Sequence, residues 1–327
     1  MRTVRDATVV ITGASSGIGR AAAQSFARQG ARIAVAARRE AALRSTVRDC
    51  ESLGGRAIAI PTDVTDSRSL RALAETATRE LGPIRVWINN AGIGAVGRFT
   101  DTPIEAHRRV IETNLLGYIN GAHAVLPYFI AERQGVLINN ISLGAWAPAP
   151  YAVAYAASKF GLLGFSSSLR AELAGWRDIH VCDVFPSFID TPGIQHGANY
   201  TGRVLKPAPP VYNPRTVADV MLRLALHPRS RTAVGITAQL AKLAHVAPNL
   251  SGAAANAMIE LYLRKADPSP ITDGNLYRPI PEGTTIRGGW QIQNGKLLVA
   301  ALGALGFSGL AALGGLWAAG RLRLPAR

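Results

Sequence analysis

The chain has 327 residues, with 36 Lys and Arg against 21 Asp and Glu and a formal net charge of +15. That length holds one large domain with an appendage, or two modest ones, and leaves enough apolar residues for a core. The arginines are scattered, in runs no longer than two and without interleaved aromatics, which argues against nucleic acid; two cysteines, Cys50 and Cys182, argue against a disulfide framework or a Cys-based metal site, and no metal is expected.

The opening "MRTVRDATVVITG" reads as a first strand, because its apolar run is too short for a secretory signal. From residue 7 to about 184, short β-branched runs alternate with longer helical patterns. The strands are "ATVVIT", "RIAVAA", "RAIAI", "RVWINN", "GVLINN" and "IHVCDVF". Between them lie helical patterns over 18–29, 41–53, 67–81, 104–131 and 152–174. Alternation of this kind predicts an α/β fold, a doubly wound parallel sheet (Rossmann fold) with right-handed crossovers.

The first strand runs into "TGASSGIGR", with Gly13, Ser15, Ser16, Gly17, Ile18 and Gly19 at the turn into an Ala-rich helix. Glycines there allow a tight turn and let a pyrophosphate approach backbone N–H groups at a helix N-terminus. A carboxylate for ribose hydroxyls is expected about 20 residues on in an NAD enzyme. Ala37 stands at that place, followed by Arg38 and Arg39, which suits the 2′-phosphate of NADP. Two further stretches fall at carboxyl ends of predicted strands: "INNAG" (88–92), and the run that carries Ser142, Tyr155 and Lys159. Tyr155 and Lys159, four apart, share one helix face. An ammonium beside a phenol favours the phenolate, so Tyr155 can act as general acid or base while Ser142 bonds the reacting oxygen.

In this order "TGASSGIG", Asp63 and Val64, "NNAG", Asn114 in "ETNLLG", Ser142 and "YAASK" resemble the short-chain dehydrogenase/reductase family in its single-domain form, over roughly residues 6 to 240. The resemblance implies a catalytic set of Ser142, Tyr155 and Lys159, with Asn114 holding a water in the proton relay. It also implies that Asp63 and Val64 contact the adenine, that Asn90, Ala91 and Gly92 line the cofactor, and that Lys159 bonds the nicotinamide ribose. The family's Pro-Gly pair is here Pro186 and Ser187, with Thr191 still placed to reach the cofactor. A basic residue before the second glycine of the turn, found in some NADP-using members, is absent: Ser16 stands there.

Pro- and Gly-rich residues 186–214 read as a substrate lid, within which His196 reads as an exposed loop histidine. Tyr151 and Trp146 read equally as pocket wall or as packing. A helix over 214–226, a strand over 232–236 and helices to about 266 complete a domain spanning 1–266. Residues 267–295 read as an irregular linker, 296–320 as a hydrophobic helix and 321–327 as a basic tail.

From Leu297 to Ala319 no residue is charged, and a helix of that length is about 34 Å long, enough for a hydrocarbon core of about 30 Å. A transmembrane or membrane-anchoring helix is therefore expected, although Arg321, Arg323 and Arg327 beyond it run against the positive-inside tendency if the catalytic domain stays in the cytoplasm. The expected function is NADP(H)-dependent interconversion of a carbonyl and a secondary alcohol on a lipophilic substrate, in a homo-oligomer. A catalytically silent NADP-binding sensor is the alternative, and epimerase or dehydratase chemistry is disfavoured by the glycine spacing.

Overall fold

The computed structural model describes residues 3–244 and 246–290. A parallel sheet of seven strands forms its centre: β1 (Thr8–Thr12), β2 (Arg32–Ala37), β3 (Arg56–Pro61), β4 (Ile84–Asn89), β6 (Gly135–Asn140), β7 (Ile179–Pro186) and β9 (Arg231–Val234). Their spatial order is β3-β2-β1-β4-β6-β7-β9, so the chain reverses direction between β1 and β4 and opens a crevice at the strands' carboxyl ends. The two-residue strands β5 (Ala95–Val96) and β8 (Ala198–Asn199) pair separately above that end.

The central strands β1 and β6 are buried along their whole length and β4 at all but Arg85, which is why they read as largely apolar runs. One layer of helices contains α1 (Gly17–Ala27), α2 (Glu40–Ser52) and α8 (Pro214–Leu226). Consecutive alanines 21–23 of α1 are fully buried and let this helix lie close to both the sheet and α8, around Phe26. Burying Phe26 alone contributes roughly 1.5–3 kcal/mol. On the other face, α3 (Ser67–Leu81) buries Leu70, Leu73, Ala74, Ala77 and Leu81, the i, i+3, i+4 stripe of an amphipathic helix. Asp66 caps its start by accepting from the Arg68 N–H at 2.9 Å, and Gly82, at φ 92°, ends it.

The long helix expected over 104–131 is built in three parts: α4 (Ile104–Ile111), a π-helical turn at Glu112–Leu116 and α5 (Gly117–Ala131). The wider turn carries Asn114, and such turns gather at functional positions because they re-aim a side chain. Next to it packs α6 (Val153–Glu172), which bears Tyr155 and Lys159. The lid folds around the short α7 (Gly193–His196) and β8. His196 is not the exposed loop residue expected: it is 5% exposed, because the chain at Gly283 closes over it. Trp146 is packing, stacked on Phe185 with ring centroids 3.9 Å apart. Ser187 is structural too, its Oγ accepting from Ala238 N–H and Thr237 Oγ1 at the start of α9 (Ile236–Ala244). The last helix, α10 (Pro248–Lys265), leaves Leu250, Met258 and Leu261 exposed.

Residues 267–290 have irregular backbone, as expected of a linker, but they are docked against the body rather than leading away from it. No helix of the described residues is long and apolar enough to cross a membrane. The hydrophobic stretch at 296–320 and the basic tail lie outside the described residues. Among the described residues no group of His, Cys, Asp and Glu could hold a metal ion.

One ion pair ties α6 to the sheet: Arg170 Nη1 donates to Asp183 Oδ2 at 2.9 Å, and the Asp183 side chain is 0% exposed. Removing the cation leaves a buried carboxylate uncompensated. Arg170→Met is expected to lower the unfolding free energy by roughly 3 kcal/mol, read from urea denaturation at neutral pH; a loss below about 1 kcal/mol, the range of an exposed pair, would contradict this account.

Candidate active site

The glycine turn is fastened to β4. Gly13 and Gly17 have φ of 66° and 55°, and a Cβ on Gly19 would stand 2.3 Å from the Gly13 carbonyl oxygen, so only glycine allows α1 to start there. Asn90, at the end of β4, donates through Nδ2 to the Thr12 and Gly13 carbonyls at 3.0 and 3.2 Å, while its own N–H donates to Thr12 Oγ1. Asn140 of β6 in turn donates to Asn90 Oδ1 at 2.8 Å. Ser15, Ser16, Ile18, Ala91 and Gly92 surround this crevice, and Pro186 and Thr191 close it from β7: a Cβ on Gly17 would meet Thr191 at 3.2 Å.

At the end of β2, Arg38 and Arg39 point into the same crevice. Neither has a carboxylate within ion-pair distance among the described residues; their acceptors are backbone carbonyls of residues 275–282 and, for Arg39, Ser15 Oγ and Ser16 Oγ at 3.3 and 3.4 Å. Burial lowers the pKa of both guanidinium groups from the ordinary arginine value. Asp63 follows β3. Burial pushes its pKa up, but bonds from Thr65 N–H and Oγ1 and the nearby Arg109 outweigh this and hold it below the usual carboxylate range. Val64 is buried beside it against Gly117.

At the reacting end, the Tyr155 ring and Ser142 Oγ converge on Gly144, whose N–H donates to Ser142 Oγ at 3.1 Å; the nearby Ser142 hydroxyl favours the Tyr155 phenolate. Lys159 lies one turn along α6, with Nζ 5.5 Å from the Tyr155 ring centroid, 5.1 Å from that of Tyr118 and 3.5 Å from the Asn140 carbonyl oxygen. The ammonium was expected to pull the phenol pKa down. In this structure burial dominates both groups: it raises Tyr155 above its ordinary value and lowers Lys159 to about 7. Asn114, on the π turn, is fully buried, and its side-chain amide both accepts from and donates to the Ile93 backbone at 2.9 Å.

Three participants carried no legible signal. Arg109 of α4 binds Asp63 at 3.1 Å and is one arginine among many in the sequence. Tyr118 of α5 puts its ring under Lys159 and donates its hydroxyl to the Asn140 carbonyl at 2.7 Å. Glu260 of α10 accepts from the Tyr151 hydroxyl at 3.0 Å and pairs with Arg98, tying the last helix to the loop before α6.

A doubly wound sheet with a glycine turn at its switch point, and a Ser-Tyr-Lys cluster across the crevice, defines the class of nicotinamide-type oxidoreductase folds. The family model for short chain dehydrogenase matches residues 7–199. A 3-oxoacyl-[acyl-carrier-protein] reductase of Thermotoga maritima is 35% identical over 219 residues, covering 66% of this chain and 89% of the relative. An uncharacterized oxidoreductase of Bacillus subtilis, YxnA, is 33% identical over 257 residues, covering 77% and 72%. Among solved structures, a metagenomic short-chain oxidoreductase in complex with NADP superposes with a TM-score of 0.60 at 29% identity, covering 71% of this chain and 97% of the other. The chain belongs to the short-chain dehydrogenase/reductase family and is an oxidoreductase of that family.

The buried lysine sets a pH dependence of stability. The folded pKa of about 7 lies below the ordinary lysine value of 10.5, so between these pH values the unfolded chain binds more protons than the folded one. Stability contributed at this site therefore rises with pH across that window, by at most about 1.4 kcal/mol per pH unit. Lys159→Met is expected to flatten the rise of unfolding free energy between pH 7.5 and 9.5, by roughly 1–2 kcal/mol, in denaturant titrations against wild type; parallel pH profiles would rule the assignment out.

Proposed function

We propose that the protein is an NADP(H)-dependent oxidoreductase that interconverts a carbonyl and a secondary alcohol on a lipophilic substrate, with Tyr155 as general acid and base. The observation that carries this reading is the convergence of Tyr155 and Ser142 on Gly144 with buried Lys159 one turn away along α6. When bound, the nicotinamide donates or accepts the hydride. Ser142 Oγ holds the reacting oxygen, and Tyr155 gives it a proton or takes one. Lys159, titrating near neutrality, supplies the positive charge that compensates a phenolate while the proton is away. Asn114 fixes the Ile93 backbone beside the cluster and continues the proton path towards solvent.

The residues fit the dinucleotide. Gly13, Gly17 and Gly19 bring no side chain of their own to the turn around Ile18, which suits a pyrophosphate at the start of α1, and Asp63, Val64, Asn90, Ala91 and Gly92 are the residues we assign to the adenosine side. Two guanidinium groups without a carboxylate partner, and Ala37 where an acid would repel phosphate, favour NADP over NAD. Tyr155, Lys159, Pro186 and Thr191 line the nicotinamide end. The uncharged run 297–319 supports membrane association, and hence a lipophilic substrate. Exposed Leu116 and Val153, next to α5 and on α6, support a homo-oligomer.

With NADPH and a panel of lipophilic ketones, the Tyr155→Phe chain is expected to lose about 10²–10⁴-fold in kcat/KM while keeping its NADPH affinity within a few-fold. Wild type that binds NADPH and reduces none of the panel would point to the sensor reading. Replacing Arg38 and Arg39 together by Ala is expected to reduce the NADPH over NADH preference in kcat/KM by roughly 10–100-fold, the loss of one or two charge-assisted bonds; an unchanged ratio would remove the basis for NADP.

A further inference from the structure

Residues 272–290 run along the rim of the crevice and bond its polar groups in sequence. Thr272 pairs with Asn199, and the Asn275 N–H donates to the His196 carbonyl at 2.8 Å. Arg38 then donates to the carbonyls of Asn275, Leu276 and Tyr277 at 2.6, 3.3 and 3.3 Å. Arg39 donates to those of Ile280 and Glu282 at 2.9 and 2.7 Å, and Arg20 to that of Thr284 at 2.7 Å. The Gly17 N–H of the glycine turn donates to the Thr285 carbonyl at 3.0 Å. Finally, Trp290 Nε1 donates to the Thr191 carbonyl and the Trp290 N–H to Asp190 Oδ1. Leu276, fully buried, inserts among Ile93, Val110 and Tyr155.

The donors taken by this segment are those that the proposed function assigns to the cofactor. We infer that residues 272–290 form an internal strap that occupies the phosphate-binding donors of the dinucleotide cleft and must be displaced for NADP(H) to bind. This rests on the reading of the cleft as an NADP(H) site. The strap offers neutral carbonyls to Arg38 and Arg39, whereas a 2′-phosphate offers formal charge and three acceptor oxygens, so the anion replaces weaker bonds with charge-assisted ones. A cleft closed by its own strap in all but a fraction of molecules binds cofactor more weakly by that fraction. The device thus raises the dinucleotide concentration needed to fill the cleft by the inverse of that fraction.

Glycines in the strap give a way to loosen it without touching the cleft. A Cβ on Gly274 (φ 51°) would stand 2.3 Å from the His196 carbonyl oxygen, and one on Gly283 (φ 65°) would run into the His196 ring, outside the proposed cofactor contacts. In the full-length chain, Gly274→Val and Gly283→Val are each expected to tighten NADPH binding, measured by fluorescence titration, about 5- to 10-fold. In wild type, which needs no variant, tryptic cleavage after the strap residue Arg287 is expected to accelerate several-fold when NADPH is saturating. Tighter binding with faster cleavage supports the strap. Weaker binding in the variants, or slower cleavage with NADPH, would mean the segment clamps over bound cofactor and would overturn the inference, as would no change in either measurement. If neither NADPH nor NADH binds any form of the chain, the NADP(H) reading fails as well, whereas tight NADPH binding with an indifferent strap overturns this inference alone.

Discussion

The bond from Asn90 to the carbonyls of Thr12 and Gly13 is the constraint on which the site depends. It fixes the end of β1 against the end of β4, where the strand order reverses, and so decides where the glycine turn can go. Gly19 approaches the Gly13 carbonyl too closely for any side chain, and that approach in turn aims the first turn of α1 into the crevice. Asn140 extends the tie to β6 and places the Asn140 carbonyl where Tyr118 and Lys159 donate to it. One short chain of side-chain amides therefore sets the distance between the proposed phosphate end and the reacting end.

At the reacting end the governing quantity is desolvation. Lys159 is buried and Tyr155 half-buried, and desolvation pushes each towards its neutral form: the lysine down, the phenol up. Proximity of opposite charges works against this, but at 5.5 Å from the ring it does not prevail in the structure as it stands. The shifts drive the two proton affinities apart, so the resting phenol holds its proton more firmly than the lysine does, and the Ser142 hydroxyl, which favours the phenolate, narrows that gap.

Much of this was legible because its signals are local. Continuous apolar runs marked strands buried on both faces, a 3.6-residue stripe marked α3, and glycines at strand ends marked a turn that no other residue fits. Tyr155 and Lys159 were readable as a pair because a helix turns four residues into one face. Arg109, Tyr118 and Glu260 were not, since each acts on a residue far away in sequence, and a lone arginine, tyrosine or glutamate has many ordinary surface uses. The π turn at 112–116 left no trace either: its residues suit an α-helix as well. Least legible was the docking of 267–290. Its bonds to Arg38, Arg39, Arg20 and Gly17 run through main-chain carbonyls, which every residue carries, so no side-chain pattern announced them.

That same use of the backbone explains why the cleft needs arginine and how it can serve two occupants. A guanidinium presents a planar fork of donors that spreads over several carbonyls of one strand, as Arg38 does across residues 275–277, and it stays charged despite burial. A lysine at either place would reach one carbonyl and, once desolvated, would tend to lose its proton, as Lys159 does. The carbonyls satisfy the geometry of the fork while leaving its charge unbalanced: Asp63 and Glu282 favour the charged forms only from beyond ion-pair distance. The folded chain therefore keeps its own segment in place while two positive charges in the crevice stay without an ion-pair partner among the described residues.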